Sequence, residues 1–229
     1  MTNLRESLTQ VRERIERACR AAGRPSGSVG LLAVSKTVGV DRVRAAADLG
    51  QRAFGENYLQ EGLAKQDGLA DLGLEWHFIG PVQSNKTRDL ALHFDWVHGV
   101  DRLRIAQRLS EARNPARDPL QVCVQVNISG ETRKSGCAPD DAPALCEAIA
   151  ALPGLRLRGL MAIPAPAGCA DDARAPYRRL RELFDRIRAA GTPLDTISAG
   201  MTDDLEAAIA EGSTLVRVGT ALFGKRNST

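Results

Sequence analysis

Short apolar segments recur along this chain, and a segment of helical periodicity follows each of them. The apolar segments have the length of buried strands, whereas the segments between them place apolar residues at i, i+3 and i+4. The predicted strands are residues 29–35, 52–55, 75–80, 95–100, 120–127, 155–163, 194–199 and 214–219. The predicted helices are residues 41–50, 57–66, 85–93, 101–112, 140–152, about 171–190 and 203–212, after an amphipathic helix at the N-terminus. Strands and helices therefore alternate along nearly the whole chain.

Eight such alternations favour an α/β fold whose parallel sheet closes into a TIM-type (β/α)8 barrel, with the N-terminal helix as an extra element. The alternative is an open doubly wound sheet, which normally carries a G-x-G-x-x-G turn after its first strand. No such turn follows residues 29–35. We expect the extra helix to lie across the barrel bottom or at its edge. We also expect a single domain over residues 1–229.

Polar residues and glycines mark the predicted helix ends. Asp and Asn stand at the predicted N-termini, where their side chains would cap free N–H groups. Gly50, Gly191 and Gly212 stand where a helix C-terminus needs a left-handed residue. The Pro- and Ala-rich segment 163–176 is predicted to be a long loop.

Charge and composition argue against binding to nucleic acid. The chain has 229 residues, and Lys+Arg 31 against Asp+Glu 28 gives a formal net charge of +3. This charge is spread along the chain, unlike the basic stripe typical of a nucleic-acid-binding surface. An arginine cluster at 174–188 is interpreted as the solvated face of an amphipathic helix. The apolar residues of that helix would be Tyr177, Leu180, Phe184 and Ile187.

Two further classes of function are disfavoured. No segment approaches the length and apolar character of a membrane span, and the charged N-terminus is unlike a signal peptide, so we expect a cytoplasmic protein. The five cysteines, at positions 19, 123, 137, 146 and 169, form no C-x-x-C pair, and the histidines at 77, 93 and 98 have no acid at metal-ligand spacing. We predict no metal, and we expect Cys123 and Cys146 to be buried.

Lys36 is the most informative single residue, because only five of the 31 basic residues are lysines. It directly follows strand 29–35, whose apolar residues a parallel barrel buries on both faces. Desolvation at such a position lowers the pKa of a lysine, and a neutral amine condenses with an aldehyde to a Schiff base. The alternative is a lysine whose stem passes the strand end and whose charge reaches water.

The loops after the seventh and eighth predicted strands contain residues that suit a phosphate, and barrels commonly bind phosphate there. Ser198, Gly200 and Thr202 precede a predicted helix N-terminus. Gly219 and Thr220 follow the last strand. Hydroxyls, helix N–H groups and unhindered glycine backbone all suit an anion. The same residue types also form ordinary turns, so the pattern favours a phosphate site without requiring one.

Arg217 lies within the last predicted strand. If it faces inward, its guanidinium needs an acceptor, because an unpaired buried charge is costly. If it faces outward, its stem packs on a helix. The periodicity leaves both orientations open.

Seven sequence blocks carry a family resemblance: LLAVSKTV (31–38), FGENYLQE (54–61), WHFIGPVQSNK (76–86), QVNISGETRKSG (125–136), RGLMAIP (158–164), GMTDDLEAAI (200–209) and STLVRVGTALFGKR (213–226). Together they closely resemble the pyridoxal 5′-phosphate homeostasis proteins, a family similar to the N-terminal barrel domain of bacterial alanine racemases. The blocks occur in the family's order. One departure is Ala199, where many family members have methionine.

The resemblance implies a cofactor and the residues that hold it. The cofactor is pyridoxal 5′-phosphate (PLP), bound as a Schiff base on Lys36. The other implied site residues are Ser198, Gly200, Gly219 and Thr220 around the phosphate, Asn57 and Met161 in the pocket wall, and Arg217 at the pyridine nitrogen. A guanidinium keeps its proton, so the pyridine ring would be a poor electron sink. Such a site suits retention of the aldehyde more than stabilisation of a carbanion.

The resemblance also implies a PLP carrier or reservoir in intracellular vitamin B6 homeostasis, without catalytic turnover and with PLP-dependent apo-enzymes as possible partners. The alternative is a racemase-like PLP enzyme, and a cofactor-free aldolase-type barrel with Lys36 as base is a more distant third. Two-base racemisation needs a second acid–base group, which alanine racemases take from a further C-terminal domain. This chain has Tyr58 and Tyr177, both on predicted helices, and length for one barrel. We therefore expect a monomer that is not an enzyme.

Overall fold

The computed structural model describes residues 3–131, 134–165 and 170–224, and its eight parallel strands close into a barrel in sequence order. The strands are β1 Gly30–Val34, β2 Ala53–Glu56, β3 Glu75–Phe78, β4 Trp96–Val100, β5 Leu120–Gln125, β6 Leu155–Met161, β7 Thr196–Ser198 and β8 Leu215–Val218. β1 pairs in parallel with both β2 and β8, which closes the barrel. The predicted (β/α)8 barrel is confirmed, and the open doubly wound sheet is wrong.

Helices surround the barrel. They are α1 Leu4–Ala21, α2 Val40–Asp48, α3 Leu59–Gly68, α4 Thr87–His93, α5 Leu103–Ala112, α6 Ala142–Ala150, α7 Ala170–Ala189, α8 Leu205–Ala210 and α9 Thr220–Phe223. Short 3-10 turns occur at Ala70–Leu72 and Ser84–Lys86. The extra helix α1 packs against α2, α8 and α9, so it lies at the barrel's edge and not across its bottom.

The structure corrects some predicted helix ends. α3 begins at Leu59, which leaves Tyr58 as an extended N-cap residue outside the helix on which it was predicted. The predicted loop at 163–176 is wrong from Ala170, where α7 begins, and residues 166–169 lie outside the described part of the chain. Asp204 stands at the N-cap of α8 but its side chain makes no capping hydrogen bond to that helix. The prediction of left-handed glycines at helix C-termini is confirmed, because Gly50, Gly191 and Gly212 all have positive φ.

The arginine-rich helix α7 buries the four residues that the pattern assigned to its inner face, Tyr177, Leu180, Phe184 and Ile187. On its outer face, Arg174 and Arg178 both pair with Glu211 at the end of α8. Charged side chains at the surface and apolar side chains in the core therefore both fix α7 to its neighbours. The interpretation of the arginine cluster as a helix face is confirmed.

A second apolar cluster occupies the inside of the barrel. It consists of Trp96, Cys123 and Met161, all buried. Cys146 is also buried, as expected, on α6. Within the three described stretches, no group of three or more His, Cys, Asp or Glu could hold a metal ion. Over the same stretches, no helix combines the length and apolar character needed to cross a membrane.

Candidate functional site

An open cavity of about 1440 Å³ lies at the end of the barrel where the strands have their carboxyl ends. Its wall is formed by the turn after β1, the residue after β2, and the loops after β7 and β8. Residues on this wall include Lys36, Thr37, Asn57, Met201, Thr202, Arg217, Gly219 and Thr220. Leu4 and Ser7 of α1 close one side. Because these segments are far apart in sequence, closure of the barrel is what brings them together.

Lys36 lies half-buried in the turn after β1, and the residues beside it are fixed by hydrogen bonds. The Thr37 N–H donates to Glu61 Oε1 at 2.5 Å, and Thr37 has a φ of 63°. A β-branched residue in this left-handed region is strained, so its surroundings must hold it there. On the other side, the Ser35 hydroxyl donates to Glu56 Oε1 at 2.6 Å. The main chain that presents Lys36 to the cavity is therefore anchored on both sides.

Lys65 on α3 is the centre of this anchor. Its Nζ donates to the Ser35 carbonyl at 2.6 Å and to one oxygen each of Glu56 and Glu61, both at 2.7 Å. Lys65 is 4% exposed and Glu56 is fully buried. Burial raises the pKa of the Glu56 carboxyl, although the hydrogen bonds from Lys65 and Ser35 act against the rise. The apolar pattern of the sequence did not single out Lys65 or Glu61.

Asn57 lines the cavity, whereas Met161 lies beneath it. Asn57 follows β2 and lines the wall, and its Oδ1 is buried with no hydrogen-bond partner among the described residues. A buried acceptor of this kind normally has a partner, so it suits a donor on a ligand. Met161 ends β6 and is fully buried against Trp96 and Cys123 in the barrel interior. Met161 therefore supports the cavity from below.

The loop after β7 turns sharply at Gly200. Gly200 has a φ of 92°, and a Cβ there would lie 2.6 Å from the Ala208 side chain on α8. Asp204 fixes this loop, because its Oδ1 accepts from the Met201 N–H and its Oδ2 from the Tyr177 hydroxyl, both at 2.5 Å. Burial and the bond to Asp204 together raise the pKa of the Tyr177 hydroxyl. Tyr177 is therefore a fixed donor to the loop.

Gly219 and Thr220 begin α9 beside the Lys36 turn, because β8 and β1 are neighbours in the barrel. Gly219 is the N-cap of α9, and a Cβ there would lie 3.3 Å from the Val34 carbonyl oxygen. The first N–H groups of a helix have no partner within the helix and point out from its end. Thr220 adds an exposed hydroxyl to the same wall. This corner of the cavity can therefore donate to an anion.

Arg217 faces inward, which decides between the two orientations that the periodicity left open. It is 4% exposed, and its guanidinium donates to the Ser198 carbonyl at 2.5 Å, to Ser198 Oγ at 2.8 Å and to the Ala162 carbonyl at 2.9 Å. Burial lowers the pKa of Arg217, but a guanidinium in a protein keeps its proton. Arg217 also lines the cavity, where it is a fixed cation.

Ser198 is fully buried, and its hydroxyl lies behind Arg217 and next to His98 Nδ1 at 2.9 Å. His98 in turn lies 2.9 Å from His77, and both rings are inside the barrel. From the sequence these histidines were considered only as metal ligands. The signal that could have found them is their place within buried strands, where a polar side chain needs a partner.

The structure therefore divides the predicted site residues into two groups. Those on the cavity wall are Lys36, Asn57, Arg217, Gly219 and Thr220. Those that support the wall from behind are Met161, Ser198 and Gly200.

Comparison with known proteins places this arrangement in a family. Residues 7–227 match the family model described as alanine racemase, N-terminal domain. A pyridoxal phosphate homeostasis protein from Pseudomonas aeruginosa is 60% identical over 227 residues, which are 99% of this chain and 97% of the relative. The chain belongs to the pyridoxal phosphate homeostasis protein family. The member from Escherichia coli K12 is 49% identical, over 99% of this chain and 98% of the relative.

Solved structures agree with this assignment. PipY from Synechococcus elongatus, solved with PLP bound, has a TM-score of 0.84 at 35% identity and covers 97% of this chain and 100% of that chain. An alanine racemase from Clostridium difficile has a TM-score of 0.74 at 18% identity, over 99% of this chain and 57% of that chain. At such low identity the second likeness concerns the fold alone. The family resemblance and the alanine-racemase-like barrel are both confirmed.

Proposed function

We propose that this chain binds PLP in the cavity at the carboxyl ends of its strands and holds it covalently on Lys36. In this role it is a carrier or reservoir in intracellular vitamin B6 homeostasis. The observation that carries the proposal is the convergence on one cavity of Lys36, Asn57, Arg217, Gly219 and Thr220. The names of the close relatives and the PLP bound in PipY support it.

The residues present fit PLP in three respects. Lys36 supplies the primary amine that an aldehyde requires. The N–H groups that begin α9 and the Thr220 hydroxyl supply donors for a phosphate, and Gly219 leaves their approach open. The buried and unpartnered Oδ1 of Asn57 offers an acceptor to a polar substituent of the ring. Amine, anion site and acceptor lie on the same wall.

The chemistry of the site favours retention of the cofactor. When bound, PLP supplies an aldehyde to which an amine adds. Lys36 provides that amine from a turn anchored on both sides, and Arg217 is the residue that we assign to the pyridine nitrogen. Arg217 can donate a hydrogen bond there but keeps its own proton, so it does not convert the ring into a strong electron sink. Ser198 and the Ala162 carbonyl hold Arg217 in place through their hydrogen bonds.

The two tyrosines favour a carrier over a racemase-like enzyme. Two-base racemisation needs a mobile proton on a group held across the cofactor from the lysine. Tyr177 donates to Asp204 and has a raised pKa, so it is a poor base near neutral pH. Tyr58 is 60% exposed at the N-cap of α3. We therefore infer that the protein is not an enzyme, with racemase-like turnover as the alternative to be tested.

We extend the proposal to the setting in which the carrier acts. The modest net charge of +3 suits a small-molecule binder in the cytoplasm, and PLP-dependent apo-enzymes are the partners that such a carrier would serve. We further propose that the chain acts as a monomer.

The deciding experiment is borohydride reduction of the purified protein with PLP, followed by peptide mapping. We expect the label on Lys36, and we expect Lys36→Ala and Lys36→Arg both to lose it, because arginine keeps the charge but not the nucleophilic amine. Lys134→Ala is the matched control, since Lys134 is paired with Glu131 outside this wall, and it should keep the label. Label on another lysine would contradict the proposal. Sustained turnover of D- or L-amino acids would contradict the carrier and support the enzyme.

A further inference from the structure

A chain of hydrogen bonds runs through the inside of the barrel, from the cavity to the opposite end. At the cavity end, the Arg217 guanidinium donates to Ser198 Oγ at 2.8 Å. Ser198 Oγ lies 2.9 Å from His98 Nδ1, and His98 Nε2 lies 2.9 Å from His77 Nδ1. His77 Nε2 lies 2.6 Å from Glu75 Oε1, at the start of β3. The four contacts link β8, β7, β4 and β3 across the barrel.

The chemistry at the two ends fixes the direction of every bond. A guanidinium can only donate, and an ionised carboxylate can only accept. The hydrogen bond from His77 lowers the pKa of Glu75, so this carboxyl is ionised near neutral pH. Burial lowers the pKa of both His77 and His98, so both rings are neutral and each has one donor and one acceptor nitrogen. One assignment of donors and acceptors then satisfies all five hydrogen-bonded residues.

In that arrangement His77 donates from Nε2 to Glu75 and accepts at Nδ1. His98 therefore donates from Nε2 to His77 and accepts at Nδ1 from the Ser198 hydroxyl. Ser198 Oγ is then left to accept from Arg217. Each bond points from the cation towards the anion, and hydrogen bonds aligned in this way strengthen one another in a low dielectric.

The surroundings keep water away from the middle of the chain. His77 and His98 are almost completely buried, and the Trp96 ring stacks on His77 with a centroid distance of 5.1 Å. The Arg158 guanidinium covers Trp96 at 4.7 Å from its ring centroid. The charged groups that act on these residues are Asp95 and Arg158 near Glu75 and, at the other end, Asp204 near Arg217. The side chain of Glu75 is half exposed to solvent.

We propose that His98, acting through Ser198, is a positioning residue for Arg217, and that Glu75 is the remote anion to which this chain connects the Arg217 cation. Arg217 donates only to neutral oxygens of Ser198 and Ala162. Asp204 acts on it through space, so Glu75 is the anion that its hydrogen bonds reach. The chain fixes the guanidinium at the cavity floor before any ligand arrives. The effect of these hydrogen bonds on PLP binding rests on the proposed function. The donor and acceptor roles of the residues do not.

The first test needs no ligand. Nitrogen-15 NMR of the imidazoles reports which ring nitrogen carries the proton, and the sequence has three histidines. His93 is exposed and is the internal reference. We expect His77 and His98 to carry their protons on Nε2, and to stay neutral below the ordinary imidazole pKa of about 6.5. A proton on Nδ1 of either neutral buried ring, or protonation of either ring at the ordinary imidazole pKa of about 6.5, would overturn the proposal.

The second test compares His98→Asn with His98→Leu. The amide oxygen of an asparagine at this position can accept from Ser198 in place of Nδ1, whereas leucine fills the volume but accepts nothing. We expect PLP to bind about ten- to a hundredfold more weakly to His98→Leu, from the loss of a hydrogen bond that supports a charged group, and to His98→Asn with a much smaller loss. If His98 served packing alone, the asparagine variant would be the weaker binder, and that order would refute the positioning role.

Two controls separate the failure modes. His93→Leu should leave PLP affinity unchanged, because His93 lies on the surface. In the ligand-free protein, the guanidinium N–H signals of Arg217 should exchange with water faster in His98→Leu than in His98→Asn, and equal rates would count against the proposal. If the unmodified protein fails to bind PLP, the proposed function is wrong. The ring tautomers and the Arg217 exchange rates still decide whether the hydrogen bonds from Arg217 to Glu75 are formed as proposed.

Discussion

Lys65 is buried inside the protein, and the three acceptors of its Nζ compensate for its removal from water. Replacing it by methionine keeps the length of the side chain but leaves Glu56 buried beside no cation. Breaking a buried pair in this way costs about 3–5 kcal/mol. We therefore expect Lys65→Met to lower the free energy of unfolding by about that amount, as measured by urea denaturation. The same variant should loosen the Lys36 turn, because the Ser35 carbonyl loses its donor.

The matched comparison is the double variant Lys65→Met/Glu56→Gln. It removes both charges, so it should be more stable than Lys65→Met alone if an uncompensated carboxylate is the source of the cost. Glu61→Gln should have a smaller effect than Lys65→Met, because the Glu61 side chain is partly exposed and an amide oxygen can still accept from Thr37. A cost below about 1 kcal/mol for Lys65→Met would show that the cluster is not an important anchor.

Single site residues were predictable from the sequence where they directly follow a predicted strand. Lys36 and the Gly219–Thr220 pair could be assigned to one end of the barrel, because parallel strands place their carboxyl ends together. Lys65 could not, since a lysine four positions after Glu61 on a helix is typical of an exposed ion pair. Its burial follows from how closely α3 packs, because a Cβ at Gly62 would lie 2.8 Å from the Phe94 ring. Helix periodicity does not report how closely a helix packs.

At the scale of elements, the approach of β6 to β7 depends on Gly159. The residue pairs with Thr196, and a Cβ there would lie 1.7 Å from the Thr196 carbonyl oxygen. The obstacle is main chain and cannot rotate away. We expect Gly159→Ala to destabilise the fold by about 3 kcal/mol or more, since overpacking of this kind must move a strand. Thermal or urea unfolding would measure the loss.

Gly39→Ala is the control for that substitution. A Cβ at Gly39 would meet nothing within 4 Å, and its φ of −66° suits any residue. We expect its stability to stay within about 0.5 kcal/mol of the original protein. If Gly159→Ala were equally harmless, the close strand contact would have no energetic importance.

The order of strands and helices was predictable from the sequence, but several element ends were not. Each of the eight strands appears within about two residues of its predicted bounds, because runs of apolar residues end where burial ends. The helix predicted at about 171–190 matches α7, but the overlapping loop predicted at 163–176 was wrong from Ala170, because Pro- and Ala-rich segments are typical of loops. In the structure α7 starts at Ala170 and contains Pro176. The orientation of Arg217 also needed the structure, since a strand buried on both faces has no alternation to indicate it.

At the scale of the whole molecule, we propose that residues 1–229 form one domain. The main apolar core contains residues from α1, from the strands and from the outer helices in a single cluster. α1 contributes Leu8, Val11 and Ile15 to that cluster, although it precedes the barrel in the chain. The closed sheet joins its first and last strands. These contacts support cooperative unfolding of the barrel and α1 together.

The hydrogen-bonded chain inside the barrel connects this global stability to pH. His77 and His98 have lowered pKa values in the folded protein, so the unfolded chain binds their protons more readily. Stability from such groups is complete above the unfolded value of about 6.5 and is lost as the pH falls below it. Glu56 acts in the opposite direction, because burial raises its pKa and the folded state then binds its proton more readily. Glu56 is present in each of the proteins compared below. Its contribution therefore cancels when their pH-dependent free energies of unfolding are subtracted.

His98→Asn should therefore flatten the pH dependence of the free energy of unfolding. Between about pH 5 and 6.5, each buried neutral histidine contributes a slope of up to about 1.4 kcal/mol per pH unit, with stability falling as the pH falls. Removing the His98 titration should lower the slope by about that amount, and the exposed-site variant His93→Gln, which retains His98, is the control. Urea titrations of the three proteins at several pH values would measure the slopes. An unchanged slope in His98→Asn would mean that His98 binds its proton equally well in the folded and unfolded states.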